Sequence, residues 1–117
     1  DLVLVPCTPD IEAYEQLPRT ARLARASEKT AAAVLTMAQP SSRAEEDIAR
    51  QVFETVKLPM VPAVIHRFKV HRDASREGLT AFEIDPEGKA AAELQALWDW
   101  VSAELQLSTN AVVHKRA

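Results

Sequence analysis

The sequence has little glycine and only one cysteine. Its two glycines are Gly78 and Gly88, and neither follows a strand-like run and opens a helix, so no glycine-rich loop is present to cradle phosphates. The single cysteine, Cys7, cannot form an internal disulfide, and this predicts a protein of the reducing cytoplasm. No apolar run has the length needed to cross a bilayer, so no membrane is expected as a partner.

The charge balance is weakly acidic. A formal net charge of −3 on 117 residues argues against a protein that coats nucleic acid over its whole surface, although it leaves room for a local basic patch. The length suffices for one domain with a hydrophobic core. We therefore expect one domain over residues 1–105, followed by a polar tail over 106–117.

Three apolar runs predict three strands. Residues 2–6 are apolar at every position, which is typical of a parallel strand covered on both faces. The second and third runs are 31–36 and 60–65. A helical segment follows each run, and this order predicts an α/β fold in which helices flank a parallel sheet with right-handed crossovers.

Capping residues mark the expected helix starts. Thr8 has the position of an N-cap, and Pro18 predicts a kink or a restart within the first helix. Ser42 and Glu45 have the spacing of a capping box, in which the two side chains satisfy two free backbone amides. A short third helix is expected over 70–77.

The longest helix is expected over 86–105. Its apolar stripe includes Leu94, Leu97 and Trp98, so we predict that Trp98 lies in the core. Trp100 lies off this stripe. It is expected to be half exposed, or covered by further sheet or by a second subunit.

The first run, 2–6, has the composition of an interior strand, yet no strand precedes it to cover its other edge. Three strands seldom form a sheet in which every member is buried on both faces. We therefore expect additional sheet, either from an upstream part of a longer protein or from a partner chain.

Four stretches of the sequence carry a resemblance to a known family. They are DLVLVPCTP at 1–9, VLTM at 34–37, VIHR at 64–67, and GL at 78–79 with DPEGKAAAE at 85–93. In this order they resemble the part of the ParA/MinD-type partition ATPases that follows the Walker B motif. The ParA/Soj branch is the more similar, because 111–116 is too short and too weakly patterned for the membrane helix of MinD. The resemblance covers the C-terminal half of such an ATPase and implies a partial P-loop NTPase fold of the deviant Walker A type.

The resemblance also implies a function and partners. ParA/Soj proteins partition plasmids and chromosomes in the cytoplasm, as ATP-dependent homodimers that bind nonspecific DNA and are stimulated by a ParB-like activator. ATP and Mg²⁺ would be bound by the full-length parent, whose P-loop lies upstream of this chain. We therefore expect no catalytic residue in this chain and no ATPase activity from it alone.

Two sets of site residues follow from the resemblance. The loops after the second and third strands would line the adenine side of an ATP site, and strand ends are also where ligands bind in parallel sheets. The cofactor-binding contacts would come from Thr36, Met37, His66 and Arg67, with His66 replacing the proline that is usual in the family. The DNA-binding contacts would come from Arg43, Arg67, Lys69 and Arg72.

Other interpretations stay open. The turn at His66 and Arg67 could be an ordinary surface turn, and the basic residues near it a solvated face. A metal site is not expected, because His66 and His71 lack the spacing of two ligands one helical turn apart and have no evident third ligand. Cys7 is expected to be a buried structural thiol.

The whole chain also has alternative functions. It could be a non-catalytic DNA- or protein-binding module derived from such an ATPase. A receiver-like or flavodoxin-like domain ranks last, because no acidic cluster or phosphate-binding loop is visible at the ends of the predicted strands.

Overall fold

The computed structural model of the chain describes the backbone of residues 1–116 and the side chains of residues 1–105. Strands β1 (Leu2–Cys7), β2 (Thr30–Ala38) and β3 (Ile65–His66) form a parallel sheet in the order β1-β2-β3. The predicted α/β class, with a parallel sheet and flanking helices, is confirmed. The helices are α1 (Ile11–Ala26), α2 (Arg43–Thr55), α3 (Lys69–Arg76), α4 (Ala81–Ile84) and α5 (Lys89–Arg116).

The central strand, β2, is covered on both faces. Ala33 and Leu35 belong to a core cluster shared with α1 and α2, whereas Ala32 and Val34 belong to a smaller cluster packed against α5. This alternation follows from the two-residue period of a strand, which sends successive side chains to opposite faces. Because both faces are buried, β2 is apolar at almost every position, as its sequence pattern indicated.

The third strand is shorter and lies later in the chain than the predicted 60–65. Met60 forms an isolated parallel bridge with Ala33, but continuous pairing with β2 is limited to Ile65–His66. Pro62 lies between these two contacts and has no backbone N–H to donate to a ladder. Since the Val61 N–H donates to Ala33 of β2, the backbone nitrogen of Pro62 points away from β2, so its missing N–H does not account for the break in pairing.

The first strand, β1, lies at the edge of the sheet. It pairs with β2 alone, and no other strand among the described residues borders its free edge. Val5 and Cys7 are buried, whereas Val3 and Leu4 are half-buried. Cys7 is thus the buried thiol that was expected, and burial, together with the nearby charge of Asp10, raises its pKa to about 11. The expectation of additional sheet beside β1 stays a prediction.

The expected N-cap of the first helix and the expected restart at Pro18 are wrong, whereas a kink at Pro18 stays a prediction. The N-cap of α1 is Asp10, whose carboxylate accepts a 2.8 Å hydrogen bond from the Ala13 amide, and Thr8 instead donates its hydroxyl to Asp10. Pro18 neither ends nor restarts α1, which continues to Ala26. Packing of the buried face of α1 against the sheet outweighs the one backbone hydrogen bond that the proline cannot make.

The capping box forms at α4 and not at the start of α2. Ser42 makes no side-chain cap, and the Glu45 carboxylate accepts a 2.6 Å hydrogen bond from the Gln39 amide, so the expected capping box does not form. Thr80 and Glu83 make the reciprocal pair of bonds and begin α4, where the sequence had indicated only an extended segment or a linker.

The predicted stripe of the last helix is wrong at Trp98, which is 62% exposed. Trp100 is half-buried and packs against the smaller core cluster, so the expectation that it is half exposed is confirmed. The stripe was misplaced because Glu93, which is polar, lies on the inward face of α5 and bonds to the end of β3. That face continues through Leu97 to Trp100, at intervals of four and three residues.

The last helix, α5, begins at Lys89, later than the predicted 86, and its backbone continues to Arg116. The side chains of the predicted polar tail, 106–117, lie outside the described residues, so the division between domain and tail stays a prediction. In the part of the chain that the structure describes, no helix combines the length and the apolar character needed to span a bilayer.

The two tryptophans provide a matched test of the orientation of α5. We expect Trp100→Ala to lower the free energy of unfolding by about 2 kcal/mol, because it empties space against the core. Trp98→Ala should change it by no more than about 0.5 kcal/mol, since the ring is mostly in solvent. Urea denaturation of both variants measures this difference, and equal losses would contradict the orientation.

Candidate functional site

A cavity of about 810 Å³ opens at the carboxyl ends of β2 and β3. This is the edge at which open parallel sheets usually bind ligands. The volume is within the range of small-molecule sites. The lining residues are Thr36, Met37, Ile65, His66, Arg67, Phe68, Lys69, His71 and Arg72.

The structure brings most of the predicted site residues together at this cavity. All four residues assigned to the cofactor line it, and so do three of the four assigned to DNA. Arg43 is the exception: it is the exposed first residue of α2 and does not line the cavity. The lining shows proximity only, and what these residues bind stays a prediction.

A β-bulge places Met37 at the cavity. Thr36 pairs with Ile65 and Ala38 pairs with His66, so one step on β3 corresponds to two residues on β2. Met37 is the extra residue, and its backbone has a φ of 57°, in the left-handed region. Bulges bend a strand and redirect side chains near functional sites. Here the bulge leaves the Met37 side chain half exposed at the cavity wall.

His66 is held between two carboxylates from different helices. Its ring Nδ1 contacts Glu93 Oε2 of α5, and its Nε2 lies 3.1 Å from Glu46 Oε1 of α2. Its backbone N–H also donates to Glu93 Oε1, at 2.8 Å. Both ring nitrogens can donate only in the protonated imidazole, so the arrangement favours imidazolium. We name His66, Glu46 and Glu93 the histidine clamp.

The clamp raises the pKa of His66. Burial of the ring acts to lower the pKa. The hydrogen bonds that the ring donates to Glu93 and Glu46, together with the negative charges of these carboxylates, raise the pKa by more than burial lowers it. The side chain is 17% exposed, so solvent screens these interactions only in part. His66 therefore keeps its positive charge to a higher pH than an ordinary histidine.

Sequence reasoning identified His66 but missed both of its partners. Glu46 and Glu93 are 20 and 27 residues away from it along the chain, and no motif links them to it. The one available signal was Glu93, a carboxylate within a stretch rich in alanine and leucine that must pack on the sheet. Polar residues on an inward face usually have a specific hydrogen-bond partner.

Cations form one rim of the cavity. Arg67 and Arg72 are exposed and make no ion pair with any described residue, and the Lys69 ammonium is 3.9 Å from Asp73. Apolar groups of Met37 and Phe68 form much of the wall. An apolar wall beside unneutralised cations suits a ligand that joins a flat apolar part to an anionic part.

One further polar atom at the cavity lacks a partner. The Nε2 atom of His71 is buried and has no hydrogen bond within the described residues. Because His71 lines the cavity, a ligand could supply the missing bond. No group of three histidine, cysteine or acidic side chains in residues 1–105 is arranged to hold a metal ion.

The histidine clamp predicts how the stability of the chain depends on pH. The pKa of His66 is raised above its unfolded value of 6.5, so the stabilisation is complete below about pH 6.5 and is lost as the pH rises through the folded-state pKa. Urea denaturation at pH 6 and pH 8.5 should show lower stability at the higher pH. The folded-state thiol of Cys7, with a pKa of about 11, stays protonated in this range, but in the unfolded chain the thiol begins to ionise near pH 8.5, so Cys7 adds a small fall of its own.

Two variants isolate the contribution of His66. In His66→Gln the fall in stability between pH 6 and 8.5 should largely disappear, because glutamine cannot carry the charge. His71→Gln is the matched control and should retain the fall. A fall of equal size in all three proteins would show that the clamp is not its source.

The chain matches no protein-family model, and no curated protein matches it. The likeness to the ParA/Soj branch therefore remains a prediction from four short motifs, and the function has to be argued from the cavity and its charges.

Proposed function

We propose that the chain is the C-terminal portion of a ParA/Soj-like partition ATPase, and that the cavity at the ends of β2 and β3 takes the nucleobase of ATP. The observation that carries this proposal is the meeting of Thr36, Met37, His66 and Arg67 around one cavity. These residues come from two stretches that are far apart in sequence. A surface turn with a solvated histidine would not require a cavity between them.

The composition of the wall suits a nucleobase. Met37 and Phe68 offer apolar contact to a flat ring, and Thr36 offers a hydroxyl, which now donates weakly to the Cys7 carbonyl at 3.5 Å. Such sites combine much apolar surface with a few polar groups that fix the orientation of the ligand. The phosphates and Mg²⁺ would be held by the P-loop of the parent protein, so hydrolysis is not proposed for this chain alone.

The basic rim supports the second part of the proposal, which is nonspecific DNA binding. Arg67, Lys69 and Arg72 are exposed at the same edge of the sheet, and Arg43 begins the helix that follows β2 there. Contacts from such residues to phosphates give binding that depends on salt and not on sequence. Homodimerisation around ATP and stimulation by a ParB-like activator belong to the same proposal.

A non-catalytic DNA-binding module is the second candidate. It is favoured by the absence of ion-pair partners for Arg67 and Arg72 among the described residues, because these cations are available whether or not a nucleotide is bound. The two candidates differ in one measurable property. The ATPase portion requires nucleotide for tight DNA binding, whereas the module does not.

The nucleobase site can be tested at the bulge. Met37→Asp should weaken the binding of a fluorescent ATP analogue about tenfold, because it removes apolar contact and places a negative charge at the site. Ile48→Asp is a matched control, since Ile48 on α2 is 51% exposed and Met37 is 49% exposed. Fluorescence anisotropy measures both, and equal affinities for the two variants would contradict the assignment.

The DNA-binding rim can be tested by charge reversal. Lys69→Glu with Arg72→Glu should weaken binding to a duplex of arbitrary sequence at least tenfold and should reduce its salt dependence. The control is Arg19→Glu with Arg22→Glu, which changes the net charge equally on the exposed side of α1. Equal losses would show that only the net charge matters. Tighter DNA binding on addition of ATP would favour the ATPase over the module.

A further inference from the structure

We infer that His66 is a positioning residue for the ligand of this cavity and that its effect depends on its protonation. The imidazolium, held by Glu46 and Glu93, keeps the cavity in the form that binds an anionic nucleotide. This inference rests on the proposed nucleotide site and names a regulation of it. The family that the chain resembles usually has proline at this position, so the device belongs to this sequence and not to that resemblance.

The first step is the position of the ring. His66 lines the cavity while both of its ring nitrogens face carboxylates, one on α2 and one on α5. One side chain thus connects β3 to two helices that are separated by more than 30 residues in sequence. Any change that releases one carboxylate moves the wall of the cavity with respect to that helix.

The second step is the consequence of losing the proton. A neutral imidazole has one N–H, so one ring nitrogen would turn a lone pair toward the oxygen of Glu46 or Glu93. That contact is repulsive, and the carboxylate is expected to turn away. The charge of the clamp also changes, from one negative charge to two, at the nucleobase end of the site proposed for an anionic nucleotide. Both effects weaken the binding of a nucleotide as the pH rises.

The third step concerns the other charged groups around the ring. The element α2 contributes Glu46 and α5 contributes Glu93, whereas the described part of β2 at the cavity has no titratable side chain. The segment that follows β3 contributes four basic side chains to the same cavity: Arg67, Lys69, His71 and Arg72. His71 is the second imidazole in the cavity wall, so its resonances have to be followed separately from those of His66.

The test is a titration of the imidazole protons by NMR, from pH 5.5 to 9, with and without saturating ATP. By linkage, a ligand that prefers protonated His66 must raise the midpoint of His66, and the affinity for ATP should fall roughly fivefold between pH 7 and 9. Adenosine, which has no phosphate, should raise the midpoint less.

Two variants separate the clamp from other effects of pH. His66→Gln should bind ATP with an affinity that changes little between pH 7 and 9, and it experiences the same titration of the ligand itself. Glu46→Gln removes one carboxylate and should lower the midpoint of His66, so that the fall in affinity begins at a lower pH.

The outcomes distinguish this inference from the proposed function. If ATP shifts the resonances of Met37 and Ile65 but leaves the midpoint of His66 unchanged, the nucleotide site stands and the inference is overturned. If ATP at 10 mM shifts no resonance at any pH, both are overturned. If ATP moves the midpoint of His71 and leaves that of His66 unchanged, the pH dependence of binding does not come from His66, and the inference is again overturned.

Discussion

The hydrogen bonds between His66 and Glu93 connect the last helix to the end of the sheet. Glu93 accepts from both the ring and the backbone N–H of His66, which fixes the rotation of α5 about its axis. With that rotation set, Leu97 and Trp100 face the sheet and complete the smaller core cluster, while Trp98 remains in solvent. A polar contact thus decides which apolar residues of α5 are buried.

The same contact shapes the cavity. Glu93 and Glu46 hold the ring of His66 in the wall, and the bulge at Met37 redirects the opposite strand end. The position of the His66 ring and the bulge at Met37 both depend on the register between β2 and β3, so neither is determined by one strand or helix alone. The cavity is therefore a consequence of how the elements are joined at this edge, and its basic rim follows from the segment that leaves β3.

How much could be predicted from the sequence differs between the core and this edge. The apolar runs indicated three strands, because burial leaves a pattern that is local in sequence. The run expected to be covered on both faces was 2–6, which forms the edge strand β1, whereas the strand with two buried faces is β2. Residue types at strand ends led to Thr36, Met37, His66 and Arg67. The partners Glu46 and Glu93 could not be predicted, since their contact depends on the tertiary arrangement of α2 and α5. The stripe of α5 was misread for the same reason: Glu93 looks like a solvent-facing residue until its partner is known.

The residue at position 66 belongs to the sheet through its backbone and contacts two helices through its side chain. The backbone N–H of His66 donates to Glu93 at 2.8 Å, while the neighbouring Arg67 N–H donates to Ala38, also at 2.8 Å. A residue without an N–H at position 66 would lose the bond to Glu93. Histidine leaves the pairing of β3 as it is and adds a charged connection to two helices. The strand end can therefore keep its geometry while the docking of α2 and α5 becomes sensitive to a proton.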